Sequence, residues 1–110
     1  MTGGTGLLGT RVVPCLREAG FDVISHGLRD EADVQADLSS RDDTRLMLDS
    51  VHPKAVVHLV GATSVDRCET DPDWAYGINV LTLRHVVDWI QESGDSRLIY
   101  LSTDHVYDGI

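Results

Sequence analysis

The feature that most limits how this chain can fold is its opening run, Met1-Thr2-Gly3-Gly4-Thr5-Gly6-Leu7-Leu8-Gly9, in which Gly3, Gly6 and Gly9 fall at the spacing G-x-x-G-x-x-G. Glycine tolerates φ > 0 and has no Cβ, so such a loop can turn sharply, approach a pyrophosphate closely and let the next helix pack against a sheet. Leu7 and Leu8 start that helix, and its first turn directs free N–H groups and a partial positive charge back at the loop. Gly3, Gly6, Leu7 and Leu8 are therefore candidate phosphate contacts. The plainer alternative is an ordinary glycine turn. Only Met1 and Thr2 precede Gly3, whereas a strand usually runs about 5–6 residues, so the first strand of the fold is expected to be missing.

The remaining pattern is α/β. Leu8, Val12, Val13 and Leu16 recur at helical spacing over 7–19, with Pro14 inside the helix and Gly20 after it. Residues 21–25 then read as a short buried strand. It ends Ser25-His26-Gly27 with no acid to take the ribose hydroxyls of an adenosine, while Arg29 follows and could pair with a 2′-phosphate. That favours NADP, with NAD as the alternative; Arg29 as a solvated loop residue is the plainer reading.

Residues 26–33 are too few for a helical crossover, so the second helix is expected to shrink to a turn before a third strand at Val34-Gln35-Ala36-Asp37. Asp37 and Leu38 end that strand on the cofactor side, where Asp37 either meets the adenine amino group or caps the segment after it. Ser40 with Asp43 resembles a capping box for a helix over 41–50, with Leu46 and Met47 facing the sheet.

The apolar run 55–60 reads as a central strand, with His58 as a hydrogen-bonded core residue. Gly61, Ala62 and Thr63 follow as a small-residue turn that leaves room for a cofactor. Residues 66–72 read as a polar loop. A long helix is expected over 73–92, with Ala75, Ile78, Thr82, Leu83, Val86, Val87 and Ile90 as its inner stripe and Asn79 among them. Asn79 either ties the helix to a strand or also positions a water. Val80, Leu81 and Trp89 form a second apolar patch, from which a homodimer through this helix is expected. The fifth strand covers 98–102. The fold class is thus a Rossmann-like doubly wound parallel sheet, incomplete, with 1–110 as a partial NAD(P)-binding domain.

A net charge of −9 repels nucleic acid and anionic membranes. Cys15 and Cys68 read as reduced thiols of a cytoplasmic protein, no metal-ligand spacing is present, and the longest apolar stretch is too short to span a bilayer. Neither nucleic acid, membrane nor metal is an expected partner.

The run Ser102-Thr103-Asp104-His105-Val106-Tyr107-Asp108-Gly109 resembles the S-T-D-Y-V-F-D-G signature of the dTDP-4-dehydrorhamnose reductase group, within the extended short-chain dehydrogenase/reductase superfamily. The Thr2-Gly3 start, Val65-Asp66-x-x-Glu69-x-x-Pro72 and Asn79 share in the resemblance, which covers nearly the whole chain. It implies an NAD(P)H-dependent reductase of a 4-keto nucleotide sugar, with Thr103 holding the carbonyl oxygen of the substrate beside a Tyr-x-x-x-Lys pair. His105 and Tyr107 depart from the usual Tyr and Phe. Lys54 is the only lysine and Ser50 lies four residues before it, so that pair is absent from these 110 residues. The chain is expected to be inactive alone. One alternative reading is a nucleotide-sugar epimerase or dehydratase of the same superfamily; another is a non-catalytic NADP-binding regulatory subunit, since the resemblance extends to the beta subunit of methionine adenosyltransferase.

Overall fold

A computed structural model describes residues 1–104 together with Tyr107 and Gly109. His105, Val106 and Asp108 of the signature lie outside the described residues. Helix α1 spans Gly9–Glu18 and starts two residues later than the spacing predicts, because Leu7 and Leu8 still turn with the glycine loop. Val13 is its buried anchor, and Pro14 sits within it. Proline has no N–H, so the Thr10 carbonyl loses its helical donor and packing must hold that turn.

Strand β1 is His26–Gly27 and β2 is Val34–Gln35, paired in parallel with His26 opposite Val34. The expected strand over 21–25 is corrected: the segment before His26 is irregular and Phe21 is largely exposed. The strand itself begins only at His26, whose N–H donates to the Met1 carbonyl at 2.9 Å, although the Ile24 carbonyl already accepts from the Met1 nitrogen at 2.7 Å and the Ser25 carbonyl from Val34 N–H at 3.1 Å. Only turns link β1 to β2, as the short spacing predicts.

Strand β3, Ala55–His58, pairs in parallel with β4, Arg97–Tyr100, in the register Ala55 to Arg97 through His58 to Tyr100. The expected gap between β1 and β3 is filled in part. Thr2 bridges His58 in parallel, with its N–H on the Val57 carbonyl (2.9 Å) and its carbonyl taking the Leu59 N–H (3.1 Å). On the other side Gly4 N–H donates to the His26 carbonyl at 2.8 Å. Residues 1–4 thus occupy the centre of a parallel array ordered β2, β1, residues 1–4, β3, β4, and β1 and β3 do not face each other with unpaired backbones. Buried backbone groups find partners even where a strand is reduced to one bridge.

Helix α2, Arg41–Val51, is capped by Ser40, whose Oγ accepts the Asp43 N–H at 3.2 Å. Its buried face is Thr44, Met47 and Leu48, whereas Leu46 is 70% exposed. Leu46 therefore does not face the sheet; Leu48 takes that place, one turn on from Thr44. Met47 and Leu48 join Leu38, Val56, Val86 and Trp89 in the core.

The expected polar loop over 66–72 is instead helix α3, Val65–Thr70, capped by Ser64, and then α4, Pro72–Tyr76, capped by Asp71. A π-helical turn, Gly77–Leu81, joins α4 to α5, Thr82–Ser93, which Gly94 ends at φ +72°. Thr82, Val86 and Trp89 are its buried residues. Trp89 is 5% exposed and donates its Nε1–H to Asp49 at 2.7 Å. That removes the largest member of the patch on which the expected homodimer rests. Among the described residues no helix is long and apolar enough to cross a membrane, and no cluster of three His, Cys, Asp or Glu side chains is placed to hold a metal.

Candidate functional site

The carboxyl ends of the parallel strands and the glycine loop enclose an open cleft of about 1130 Å³. Open α/β sheets bind ligands at this edge, where the strand order reverses. Of the candidate residues, Gly3, Gly6, Arg29, Asp37, Leu38 and Gly61 line it. Leu7, Leu8, Ala62, Thr63 and Thr103 are not among the lining residues. Leu7 is 94% exposed. Thr103 lies exposed, beyond the end of β4.

Two glycines make the cradle possible. Gly3 adopts φ +71°, and a Cβ there would stand 3.1 Å from the Leu59 carbonyl carbon and the Val60 nitrogen. At Gly9 a Cβ would fall on the carbonyl oxygens of Gly3 and Gly4. The first turn of α1 can therefore lie directly against the loop only with glycine at this position. Gly6 N–H closes onto the Gly3 carbonyl at 3.0 Å, and Thr10 N–H onto Gly6 at 2.9 Å. Among the described residues the N–H groups of Leu7 and Leu8 have no protein acceptor. The side chains of both leucines face outward, with Leu7 the more exposed.

One wall of the cleft is shaped by His26, whose role the sequence pattern does not reveal. It is buried on the cleft wall; its Nε2 lies 2.9 Å from the Ala36 carbonyl and its Nδ1 3.4 Å from the Gly3 nitrogen. A carbonyl only accepts, so Nε2 carries the proton and Nδ1 accepts the Gly3 N–H. Burial lowers its pKa, so the neutral ring is favoured. His26 thereby pins the glycine loop to the chain just beyond β2. Asp33 fixes the residue before: its carboxylate accepts from Ser25 N–H and Oγ, each at 2.7 Å, and from Arg17 at 2.6 Å. Those Ser25 hydrogen bonds, with the nearby Arg17 charge, hold its carboxyl below the usual range.

Asp37 accepts from Ser39 Oγ at 2.6 Å and Ser39 N–H at 2.9 Å, which lowers its pKa. This geometry is a local cap on the turn before α2, while the residue still stands on the cleft wall. Opposite, Asn79 Oδ1 accepts the Ala62 N–H at 2.7 Å. Asn79 ties the π turn to the small-residue segment after β3, one of the two roles its position allows. Trp74 lines the cleft with Arg67 stacked 3.7 Å from its ring centroid.

The geometry meets three results from comparison with known proteins. The family model described as RmlD substrate binding domain matches residues 1–110. The chain is 31% identical over 111 residues to methionine adenosyltransferase 2 subunit beta of Danio rerio, covering 99% of this chain and 33% of that protein. It is 32% identical over 109 residues to a dTDP-4-dehydrorhamnose reductase of Streptomyces griseus, covering 99% and 34%. Among solved structures, dTDP-4-dehydrorhamnose reductase of Bacillus anthracis in complex with NADP superposes with a TM-score of 0.86 at 28% identity, over 98% of this chain and 36% of that one. The chain thus spans about a third of the length of these relatives.

Proposed function

The chain belongs to the RmlD substrate binding domain family, and from that premise we propose that it is the NADP-holding part of a reductase acting on a 4-keto nucleotide sugar. The observation that carries the reading is the cradle: Gly9 lies where any Cβ would meet two loop carbonyls, and the Gly3–Gly6 backbone faces a cleft large enough for a dinucleotide. The solved Bacillus anthracis relative holds NADP. When bound, the dinucleotide supplies a hydride.

This chain's own residues bind and orient. Gly3, Gly6 and the N–H groups of Leu7 and Leu8 take the pyrophosphate, which needs no basic side chain at a helix N-terminus. Arg29, on the cleft wall beyond a strand end that lacks an acid, takes a 2′-phosphate, giving NADP the advantage over NAD. Asp37 and Leu38 border the adenine, and Gly61, Ala62 and Thr63 leave space across the end of β3. Thr103 contributes a hydroxyl hydrogen bond to the carbonyl oxygen of the sugar. No Tyr-x-x-x-Lys pair occurs in the 110 residues, so binding without turnover is the expected behaviour of this chain.

A second reading, a non-catalytic NADP-binding subunit, is favoured by the 31% identity to the methionine adenosyltransferase subunit. Calorimetric titration of the full chain with NADP and with NAD tests the shared premise. NADP is expected to bind at least tenfold more tightly, a difference of about 1.4 kcal/mol. Absence of binding by either dinucleotide at about 1 mM, the concentration matched to −4.1 kcal/mol, contradicts both readings. Turnover of a 4-keto nucleotide sugar when the missing tyrosine and lysine are supplied in a longer chain separates the reductase from the subunit.

A further inference from the structure

Beneath the cleft lies a buried histidine that makes none of the cofactor contacts. His58 is the last residue of β3, is 1% exposed, and does not line the cleft. Its Nδ1 lies 2.7 Å from Thr2 Oγ1 and its Nε2 3.4 Å from Thr82 Oγ1. Thr82 Oγ1 in turn lies 2.6 Å from the Ile78 carbonyl.

Counting protons gives this row a direction. The Ile78 carbonyl can only accept, so the single hydroxyl proton of Thr82 is committed to it. Toward His58 the Thr82 oxygen offers only a lone pair, and Nε2 must carry the ring proton. Nδ1 is then bare and accepts the hydroxyl proton of Thr2 at 2.7 Å, much nearer than the Val57 carbonyl at 3.5 Å, the other acceptor that hydroxyl reaches. The chain of donors runs from Thr2 through His58 and Thr82 to Ile78. Hydrogen bonds aligned this way polarise one another in a low-dielectric interior.

Its two ends matter. Thr2 is the residue before Gly3, where the backbone turns to φ +71° and the cradle begins. Ile78 lies in the π-helical turn Gly77–Leu81, on the opposite wall of the cleft, and its neighbour Asn79 holds the Ala62 N–H. In a π turn the N–H partner of a carbonyl sits five residues on, a rare arrangement found often as a single turn at functional sites.

We propose that His58 is a positioning residue that locks the glycine loop to the π turn, so that the two walls of the cleft hold their spacing as one piece. The proposal rests on the reading of the cleft as a cofactor site only for its consequence, since the coupling itself exists without ligand. A ring with one donor and one acceptor is what the row requires; burial keeps it neutral, with its pKa lowered to about 4 and the proximity of His26 adding to the shift.

The test is amide hydrogen exchange on the full chain. In Thr2→Val the exchange of residues 78–82 is expected to rise at least tenfold, although Thr2 makes no hydrogen bond to that turn, while α2 amides keep their rates and Thr2→Ser behaves as wild type. A rise shared equally by α2, or no rise at 78–82, overturns the proposal by reducing His58 to a general packing role. Should Thr2→Val fail to fold, nitrogen NMR of the wild-type ring decides: a proton on Nε2 at pH 7 supports the row, and a proton on Nδ1 overturns it. Added NADP is expected to slow exchange in the glycine loop and at 78–82 together. If NADP protects neither region, the cofactor reading fails while the coupling stands on the first two results; protection of the loop without the turn overturns the coupling and leaves the cofactor reading intact.

Discussion

Strand β3 has two neighbours, and they contrast sharply. On one side stand residues 1–4, Met-Thr-Gly-Gly, a poor strand sequence by any propensity. On the other stands β4, Arg-Leu-Ile-Tyr, a good one. Yet the poor strand is the enclosed one. Thr2 and Gly4 are buried, bonded to β1 and β3 on either side, and Thr2 reaches His58. In β4, Ile99 and Tyr100 are close to half exposed, and Leu101 beyond it is as well. Among the described residues β3 is its only strand neighbour. The difference shows that position in the sheet, and not side-chain appetite for a strand, decides which backbone is buried and paired on both sides.

The largest effect that would break this contrast lies in the glycine region. Gly9→Ala places a Cβ on two loop carbonyls, and is expected to cost about 3 kcal/mol or to prevent folding, read as the urea midpoint. A loss under about 1 kcal/mol would mean the loop is soft, contrary to its description as a cradle.

Next comes pH. His58 has a folded pKa of about 4 against an ordinary 6.5, so the unfolded chain binds more protons between those values. Stability contributed by the neutral ring is complete above pH 6.5, falls as pH drops through that window and levels off below about 4. The loss is expected to be of order 3 kcal/mol, with His26 adding to it in the same direction. Asp33 and Asp37, both held below the usual carboxylate range, titrate lower, and burial of the Met1 amino group, which lowers its pKa, acts in the same direction as the histidines. Urea midpoints measured across this range check the slope, and a flat profile would contradict a buried neutral His58.

The smallest effect belongs to the other neighbour. Ile99→Thr on β4 is expected to change stability by no more than about 0.5 kcal/mol; a loss several times larger would show that this face is covered and would erase the contrast.

Much of this was readable in the residues. The glycine spacing, the Ser40–Asp43 cap, the shrunken crossover between β1 and β2, and a histidine in a core strand all depend on local chemistry that a sequence displays. The misplacements are matters of phase and partnership. Leu46 and Leu48 are equally apolar, and only the angle at which α2 meets the sheet selects Leu48. Trp89 lies three residues from Val86 and seven from Thr82, on the same helical face, but the π turn preceding α5 offsets the stripe drawn from Ala75 and Ile78. His26 carries no motif of its own; its role depends on Gly3 and Ala36, 23 and 10 residues away. Of the candidate site, the loop, Arg29, Asp37, Leu38 and Gly61 converge on one cleft. The carbonyl-holding role of Thr103 comes from the family resemblance and not from that convergence.

The most direct test of the account is amide exchange at Gly4, His26 and Leu59, three of the N–H groups that pair residues 1–4 with their neighbours, measured with and without NADP. Slow exchange at all three in the free protein, with Leu7 and Leu8 joining them only when NADP is added, is the predicted result. Exchange at unprotected rates in the free protein would mean that residues 1–4 do not complete the sheet, and that the cradle does not exist before its ligand arrives.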